Sequence, residues 1–364
     1  MRACKALLDS GADSLFEKNI LRTPFHQAWD MIFQASQSPK TLETLRLLFP
    51  DNGQLEERKF SKLHNVVLGI THYDLEKAVT SCGADINLSD SQLRTAISWP
   101  AERGDVSAVR ILLDAGADPN CLDSGGSSPL QHVAKSSSSC VKLLLDAGAD
   151  PHHTNKYRYN ALHSAAAWDE RETLILLASA GTDVNGKSIL GSTPLANAAA
   201  RNLLVFSKEL LKHGADPSSV DNEGDTPLSE AVFHNAHDVL RMLLQNGSIP
   251  RINNAGNAIL HYAAGYGDLK TIQTLKQSGV SMLDPDHVNK AGNTAWNLAQ
   301  DRKVLPERFL EEFGALLEAY RHPRRMSDFR DPTAFLGDGQ VELGAALNKG
   351  NFADEGGVFV DALE

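Results

Sequence analysis

Cysteine is scarce in this chain. Four in 364 residues, Cys4, Cys82, Cys121 and Cys140, include no C-x-x-C pair, which speaks against a disulfide framework or a zinc site and leaves reduced, packed thiols as the expectation. Positive charge is outnumbered, since 35 Lys and Arg against 46 Asp and Glu leave a net charge of −11. That balance argues against nucleic acid as a partner and against an anionic membrane face. No run of about 18 apolar residues occurs, so membrane insertion is not expected. The opening MRACKALLDSGADSLFEK carries charges where a signal peptide needs an unbroken apolar stretch. These absences point to a soluble intracellular protein, cytoplasmic with the nucleus as the alternative. Catalytic signatures are missing too: there is no G-x-S-x-G elbow, H-E-x-x-H, phosphate-binding loop or dinucleotide fingerprint. GDGQVELG has glycines, but no strand precedes it. Neither an enzyme nor a cofactor nor a metal is expected.

What the chain does have is self-similarity. LLDAGADPN at Leu112–Asn120 returns as LLDAGADPH at Leu144–His152. The motif's glycine recurs at Gly83, Gly116, Gly148, Gly181, Gly214, Gly247 and Gly279, always 32 or 33 residues apart. A second motif follows each by about a dozen residues: SPLQ at Ser128, NALH at Asn160, TPLA at Thr193, TPLS at Thr226, AILH at Ala258 and TAWN at Thr294. Related forms occur upstream as TPFH at Thr23, SKLH at Ser61 and TAIS at Thr95. Thr or Ser before Pro caps a helix start, Pro is tolerated in the first turn, and a Gly after the Leu pair supplies the left-handed residue that ends a helix. Each unit therefore reads as two short antiparallel helices flanked by turns. Such a unit cannot bury its apolar face alone, so neighbours must stack. Leu112, Leu145, Leu177, Leu210, Leu243 and Leu275 are expected to form the buried column.

These residues resemble the ankyrin repeat, over about residues 19 to 320. The resemblance implies an all-α solenoid of about nine stacked helix pairs, with protruding β-hairpin turns and a concave face that holds other proteins. Units are expected to begin near Asn19, Gln54, Ser89, Leu122, Thr154, Lys187, Val220, Asn253 and Val288. Residues 1–18 contain CKALLDSGADS, the second half of a repeat, read as a truncated start or a frayed cap. The first unit is lengthened around MIFQASQSPKT, and the second diverges. Arg158 stands where Gly126, Gly191, Gly224, Gly256 and Gly292 stand in other units, so that turn is expected to be altered. After GVS, the extra residues of MLDPDHV are expected to make the next turn irregular. ERFLEEFGALLEAY suits a capping helix. Residues 321–364 leave the repeat register: 321–330 carry four Arg against one Asp, and 331–364 carry one Lys against seven acids. A mostly disordered acidic tail is expected, with AFLGDG and VFVDALE able to dock, including on the chain's own concave face.

The resemblance makes His26, His64, His163 and His261 turn residues that hydrogen-bond the backbone between units. His152 and His153 adjoin each other without a third metal ligand. Asp85, Asp118, Asp150, Asp183 and Asp216 recur too regularly for paired acid–base work and suit turn hydrogen bonds. Ser136–Ser139 suits a helix cap.

Function then lies in the positions the scaffold leaves free. Eight residues after each second-motif start stand Arg103, Trp168, Arg201, His234, Tyr266 and Arg302, an aromatic and basic stripe in an acidic chain. The turn Lys156, Tyr157, Arg158 and Tyr159 replaces the usual small polar tip. Tyr, Trp and Arg carry much interface energy, so the ten are candidate partner-binding residues for an acidic or aromatic-bearing protein segment. For Trp168 and Tyr157, packing between repeats is the alternative. Trp99 is open to either role, and Trp296 is expected in the core. The expected function is a non-enzymatic scaffold or adaptor. The alternative is the targeting fragment of a larger regulatory or enzymatic polypeptide; a third possibility is an adaptor inhibited by its own tail.

Overall fold

A computed structural model of the chain describes residues 59–68, 73–134, 136–166, 169–279, 283–302 and 307–322. The half repeat at 1–18, the lengthened first unit with His26, Trp168, residues 280–282 after Gly279 and the tail beyond 322 lie outside the described residues, so those expectations are not addressed by it.

Helices come in pairs. α1 (Lys62–Val67) precedes α2 (Leu75–Cys82), which ends in a 3-10 turn at Gly83–Asn87. Six further pairs follow: α3 (Ser98–Arg103) and α4 (Val106–Asp114), α5 (Pro129–Val133) and α6 (Ser138–Asp146), α7 (Ala161–Ala166) and α8 (Arg171–Ser179), α9 (Pro194–Ala200) and α10 (Leu204–Lys212), α11 (Pro227–Phe233) and α12 (His237–Gln245), and α13 (Ile259–Tyr266) and α14 (Leu269–Ser278). α15 (Ala295–Asp301) and α16 (Glu307–Arg321) end the described array. From α3 to α15 each first helix packs on the next first helix, and from α2 to α16 each second helix packs on the next second helix. The result is a two-layer solenoid whose described residues form no strand, only isolated bridges at Ser89–Thr95 and Val288–Thr294.

The local chemistry explains the repetition. Thr193, Thr226 and Thr294 accept from the amides of Ala196, Ser229 and Asn297, capping α9, α11 and α15. Ser137, inside the serine run, caps α6 through the Cys140 amide. At the other end of the units from α4 to α14 a glycine at positive φ closes the second helix. Gly116, at φ 91°, donates to Leu113 O while Ala117 donates to Leu112 O, a pairing that satisfies the last carbonyls of α4.

The buried column is Leu112, Leu144, Leu177, Leu210, Leu243 and Leu275, each with no exposed surface. Leu144 replaces the expected Leu145, which is only partly buried. The helix turns about 100° per residue, and only the leucine four places before each glycine faces the adjacent unit. Other apolar positions differ in detail. Trp99 is buried beneath the Arg94 guanidinium, 4.7 Å from its ring centre. Trp296 is partly buried, packing against the core that includes α16. α16 buries Phe309, Phe313, Leu316 and Leu317 and leaves Glu311 and Glu318 in water, the one-sided pattern of a capping helix.

The turns between units project as fingers joined by a backbone ladder. Ser124, Lys156, Ile189, Asn222, Asn254 and Lys290 each donate an amide to the preceding finger, at Gln92, Gly125, Tyr157, Leu190, Glu223 and Ala255 O, over 2.7–3.0 Å. Arg158 does not alter its turn, contrary to the sequence expectation. It takes φ 58°, the left-handed conformation that glycine takes in five other fingers, and Arg158 N still reaches Asn155 O at 2.8 Å. Nor is the finger after the inserted residues irregular where it is described: Lys290 N joins the ladder and the His287 ring bonds Gly256 O at 3.0 Å.

Candidate functional site

Much of the polar chemistry in this fold holds the units together. His64, His163 and His261 place Nε2 on the backbone oxygens of Arg94, Ser192 and Asn293, at 2.9, 3.1 and 3.1 Å. Burial lowers the pKa of all three, that of His163 to about 4, so each ring is neutral near pH 7. Gln131 does the same work without a titrating ring, accepting from Ser128 N and donating to Tyr159 O. The aspartates Asp118, Asp150, Asp183 and Asp216 accept from the amide two residues on. Asp85 lies in the 3-10 turn. His153 bonds Gly126 O, and among the described residues no three His, Cys, Asp or Glu are grouped to hold a metal ion.

The stripe divides into half-buried and exposed members. Arg103 donates to Val67 O at 2.8 Å and Arg302 donates to Ala264 O and Gly267 O at 3.1 and 2.8 Å. Each ties down the end of a first helix in an earlier unit, where free carbonyls favour a cation. Desolvation lowers both guanidinium pKa values, as expected for groups built into the scaffold. Arg201, by contrast, is exposed. With Tyr159, His163, Ser164, Asn197 and Ala200 it lines an open cavity of about 340 Å³ between units. The Tyr159 ring lies 5.0 Å from that of His163, fixing one wall.

Beyond the cavity, the finger tips hold apolar surface. Tyr157 is 52% exposed, beside Ile189 and Leu190 of the next finger at 51% and 67%. Lys156 Nζ is bound to Ser124 O at 2.6 Å, whereas the exposed Arg158 guanidinium makes no hydrogen bond or ion pair among the described residues. Sequence reading missed Ile189 and Leu190. Their signal was present, because the same two places read Asn222–Glu223 and Asn254–Ala255 in later fingers.

Further along the groove, His234 and Tyr266 are exposed and come together through Phe233, another missed residue. The Phe233 ring centre lies 4.2 Å from Tyr266 and 4.8 Å from His234. Glu230, 3.5 Å from His234 Nε2, has its carboxyl pushed up to about 7 by burial and by Asp225, Asp221 and Glu223. Asp225 accepts from the Tyr262 hydroxyl at 2.5 Å. The expected stripe is thus resolved into a cavity bearing Arg201 and an aromatic shelf bearing Glu230, with Trp168 outside the described residues.

Among the described residues no helix is long and apolar enough to cross a membrane. A family model for ankyrin repeats in sets of three matches residues 32–155, 97–188 and 185–254, more than half of the chain. The putative ankyrin repeat protein FPV219 of fowlpox virus is 41% identical over 114 residues, 31% of this chain and 26% of its own length. The human ankyrin repeat domain-containing protein 63 is 44% identical over 52 residues, 14% of each chain. The Drosophila melanogaster transient receptor potential channel pyrexia is 30% identical over 142 residues, 39% of this chain and 14% of the channel. The chain thus spans about a quarter or less of these relatives. The crystal structure of the human ASB11 ankyrin repeat domain superposes with a TM-score of 0.55 at 20% identity, covering 61% of this chain and 98% of that domain. The 33-residue register, the stacked helix pairs, the laddered fingers and the family match agree, and the chain belongs to the ankyrin-repeat family.

Proposed function

We propose that the chain is a non-enzymatic scaffold or adaptor that holds an acidic, apolar protein segment across the fingers of its fifth and sixth units, Asn155–Tyr159 and Ser188–Ser192, and the cavity beside them. Ankyrin repeats are protein–protein interaction modules. The observation that carries the finer reading is the group Tyr157, Arg158, Ile189 and Leu190, exposed side chains that the ladder does not use. Contiguous apolar surface at a tip lined by backbone already satisfied costs the scaffold solubility and returns no packing, which is the pattern of a binding face. Arg158 and, in the cavity, Arg201 supply positive charge for a carboxylate on the partner. Lys156 and Tyr159 shape the approach, and His234 and Tyr266 extend it along the groove, while Arg103 and Arg302 are bound to carbonyls of the scaffold.

Affinity capture with the native chain beside a Tyr157→Ala, Arg158→Gly, Leu190→Ser variant of matched melting temperature tests this. Loss of specific protein partners from the variant, with the segment mapped to the fifth and sixth fingers, is the expected outcome. The same partners recovered by both would place binding elsewhere. A second reading, the targeting part of a larger polypeptide, is supported by relatives of which the matched part is 14%. The intact mass of the native protein in its source cells separates the two, a mass well above 39.4 kDa favouring the larger polypeptide.

A further inference from the structure

We infer that the shelf formed by Phe233 and Tyr266, with the Glu230 carboxylate at its edge, receives an arginine or lysine side chain of the bound segment. This rests on the protein-binding reading above and reverses the polarity expected for this part of the groove. Phe233 and Tyr266 are 38% and 53% exposed on neighbouring first helices, their rings 4.2 Å apart. An aromatic face of this kind attracts a cation through its quadrupole, most of all when partly desolvated.

The surrounding charge selects the occupant. Several carboxylates in other units have a partner: Glu209 has Arg171 and Lys212, Asp123 has His132, Asp268 has His237 and Asp286 has Arg321. Around the shelf Glu230, Asp225, Asp221 and Glu223 gather without a lysine or arginine partner among the described residues, and only His234 lies within ion-pair range of Glu230. Their mutual repulsion, added to burial, keeps part of the Glu230 population protonated near neutral pH. Glu230 retains 30% side-chain exposure, so a guanidinium or ammonium lying on the rings can reach it. An acidic side chain would meet four carboxylates, and a neutral one would leave them unmatched. The shelf sits one to two units past the Arg201 cavity. At helix spacings of about 8–10 Å, that is roughly three to six residues of extended chain. The recognised segment therefore carries an acidic residue and, a few places away, a cationic one.

The test uses the ¹⁵N-labelled full chain titrated with capped Ala-Arg-Ala and with its Ala-Gln-Ala and Ala-Glu-Ala counterparts. Only the arginine peptide is expected to shift the Phe233, Tyr266 and Glu230 amides in a saturable way. Glu230→Gln and Tyr266→Ala should each weaken it by about fivefold or more, with spectra elsewhere unchanged. Equal shifts from the glutamine peptide, non-saturating shifts spread over many carboxylates, or an unchanged affinity in Glu230→Gln would each overturn the inference. If arginine saturates the shelf while affinity capture yields no partner, the cation subsite stands and the adaptor reading falls. A captured partner whose contacts bypass the shelf overturns only the subsite.

Discussion

The fifth and seventh fingers have the same backbone and opposite surfaces. Asn155 N reaches Tyr159 O at 3.0 Å in one, and Asp221 N reaches Asp225 O at 2.9 Å in the other. Their third tip residues, Arg158 and Gly224, are both left-handed, at φ 58° and 84°. Side chains reinforce the ladder around both: Lys156 Nζ donates to Ser124 O at 2.6 Å at the fifth finger, and at the seventh Asn222 donates to Ile189 O at 2.7 Å and Asn254 to Asn222 O at 2.9 Å. The fifth and sixth fingers also raise Tyr157, Arg158, Ile189 and Leu190 into water, where the seventh has Asn222, Glu223 and Gly224. A backbone ladder common to both lets one finger carry a polar tip and another an apolar and basic contact surface.

Both fingers depend on one apolar column, so the largest effect should come from breaking it. Leu210→Ala, a fully buried site between them, is expected to cost about 2–5 kcal/mol, read as a lower denaturation midpoint. No loss would mean the column is misassigned.

Acidity should act on the two units with opposite sign. Behind the fifth finger, His163 has a folded pKa near 4 against 6.5 unfolded. The unfolded chain therefore takes up the proton first, and stability falls as pH drops from 6.5 to about 4, by about 3 kcal/mol. In the seventh unit Ser229 holds the corresponding place, and Glu230 has its folded pKa raised from 4.5 to about 7. Here the folded chain holds the proton, so stability is lost as pH rises from 4.5 to about 7. Urea midpoints across this range should fall less steeply on the acid side in His163→Gln, with Gln131 as the natural precedent. An unchanged acid limb would contradict the assignment.

The tips themselves give smaller changes. A Cβ on Gly224 would lie 2.9 Å from Asn254 N, backbone that cannot yield, so Gly224→Ala should destabilise by roughly 1–3 kcal/mol. Arg158→Gly should do the reverse, raising stability by up to about 1 kcal/mol as left-handed strain is relieved. Thermal melts of both variants check the pair. Destabilisation by Arg158→Gly would show that its side chain serves the fold.

The sequence carried the architecture because spacing, caps and the glycine stops all encode backbone. It was less informative where two residues compete for one direction. Leu144 and Leu145 are indistinguishable by type, and only the distance to Gly148 separates them. Arg158 was misread because substitution at a glycine position signals strain as readily as a changed turn. Arg103 and Arg302 look like surface cations in a stripe, since the carbonyls they bind belong to units 35 or more residues away in sequence. Phe233 lies one residue before the stripe and was passed over, although its ring brings His234 and Tyr266 together. Exposure and inter-unit bonding are properties of the stack and not of any one repeat.

Hydrogen exchange of the six ladder amides, Ser124, Lys156, Ile189, Asn222, Asn254 and Lys290, in the native chain and in Tyr157→Ala, Arg158→Gly, Leu190→Ser tests most directly whether the tip side chains are free of structural duty. Unchanged protection at all six together with lost partner binding is the predicted result. Protection that collapses at Lys156 and Ile189 in the variant would contradict it, because those side chains would then be holding the fingers together.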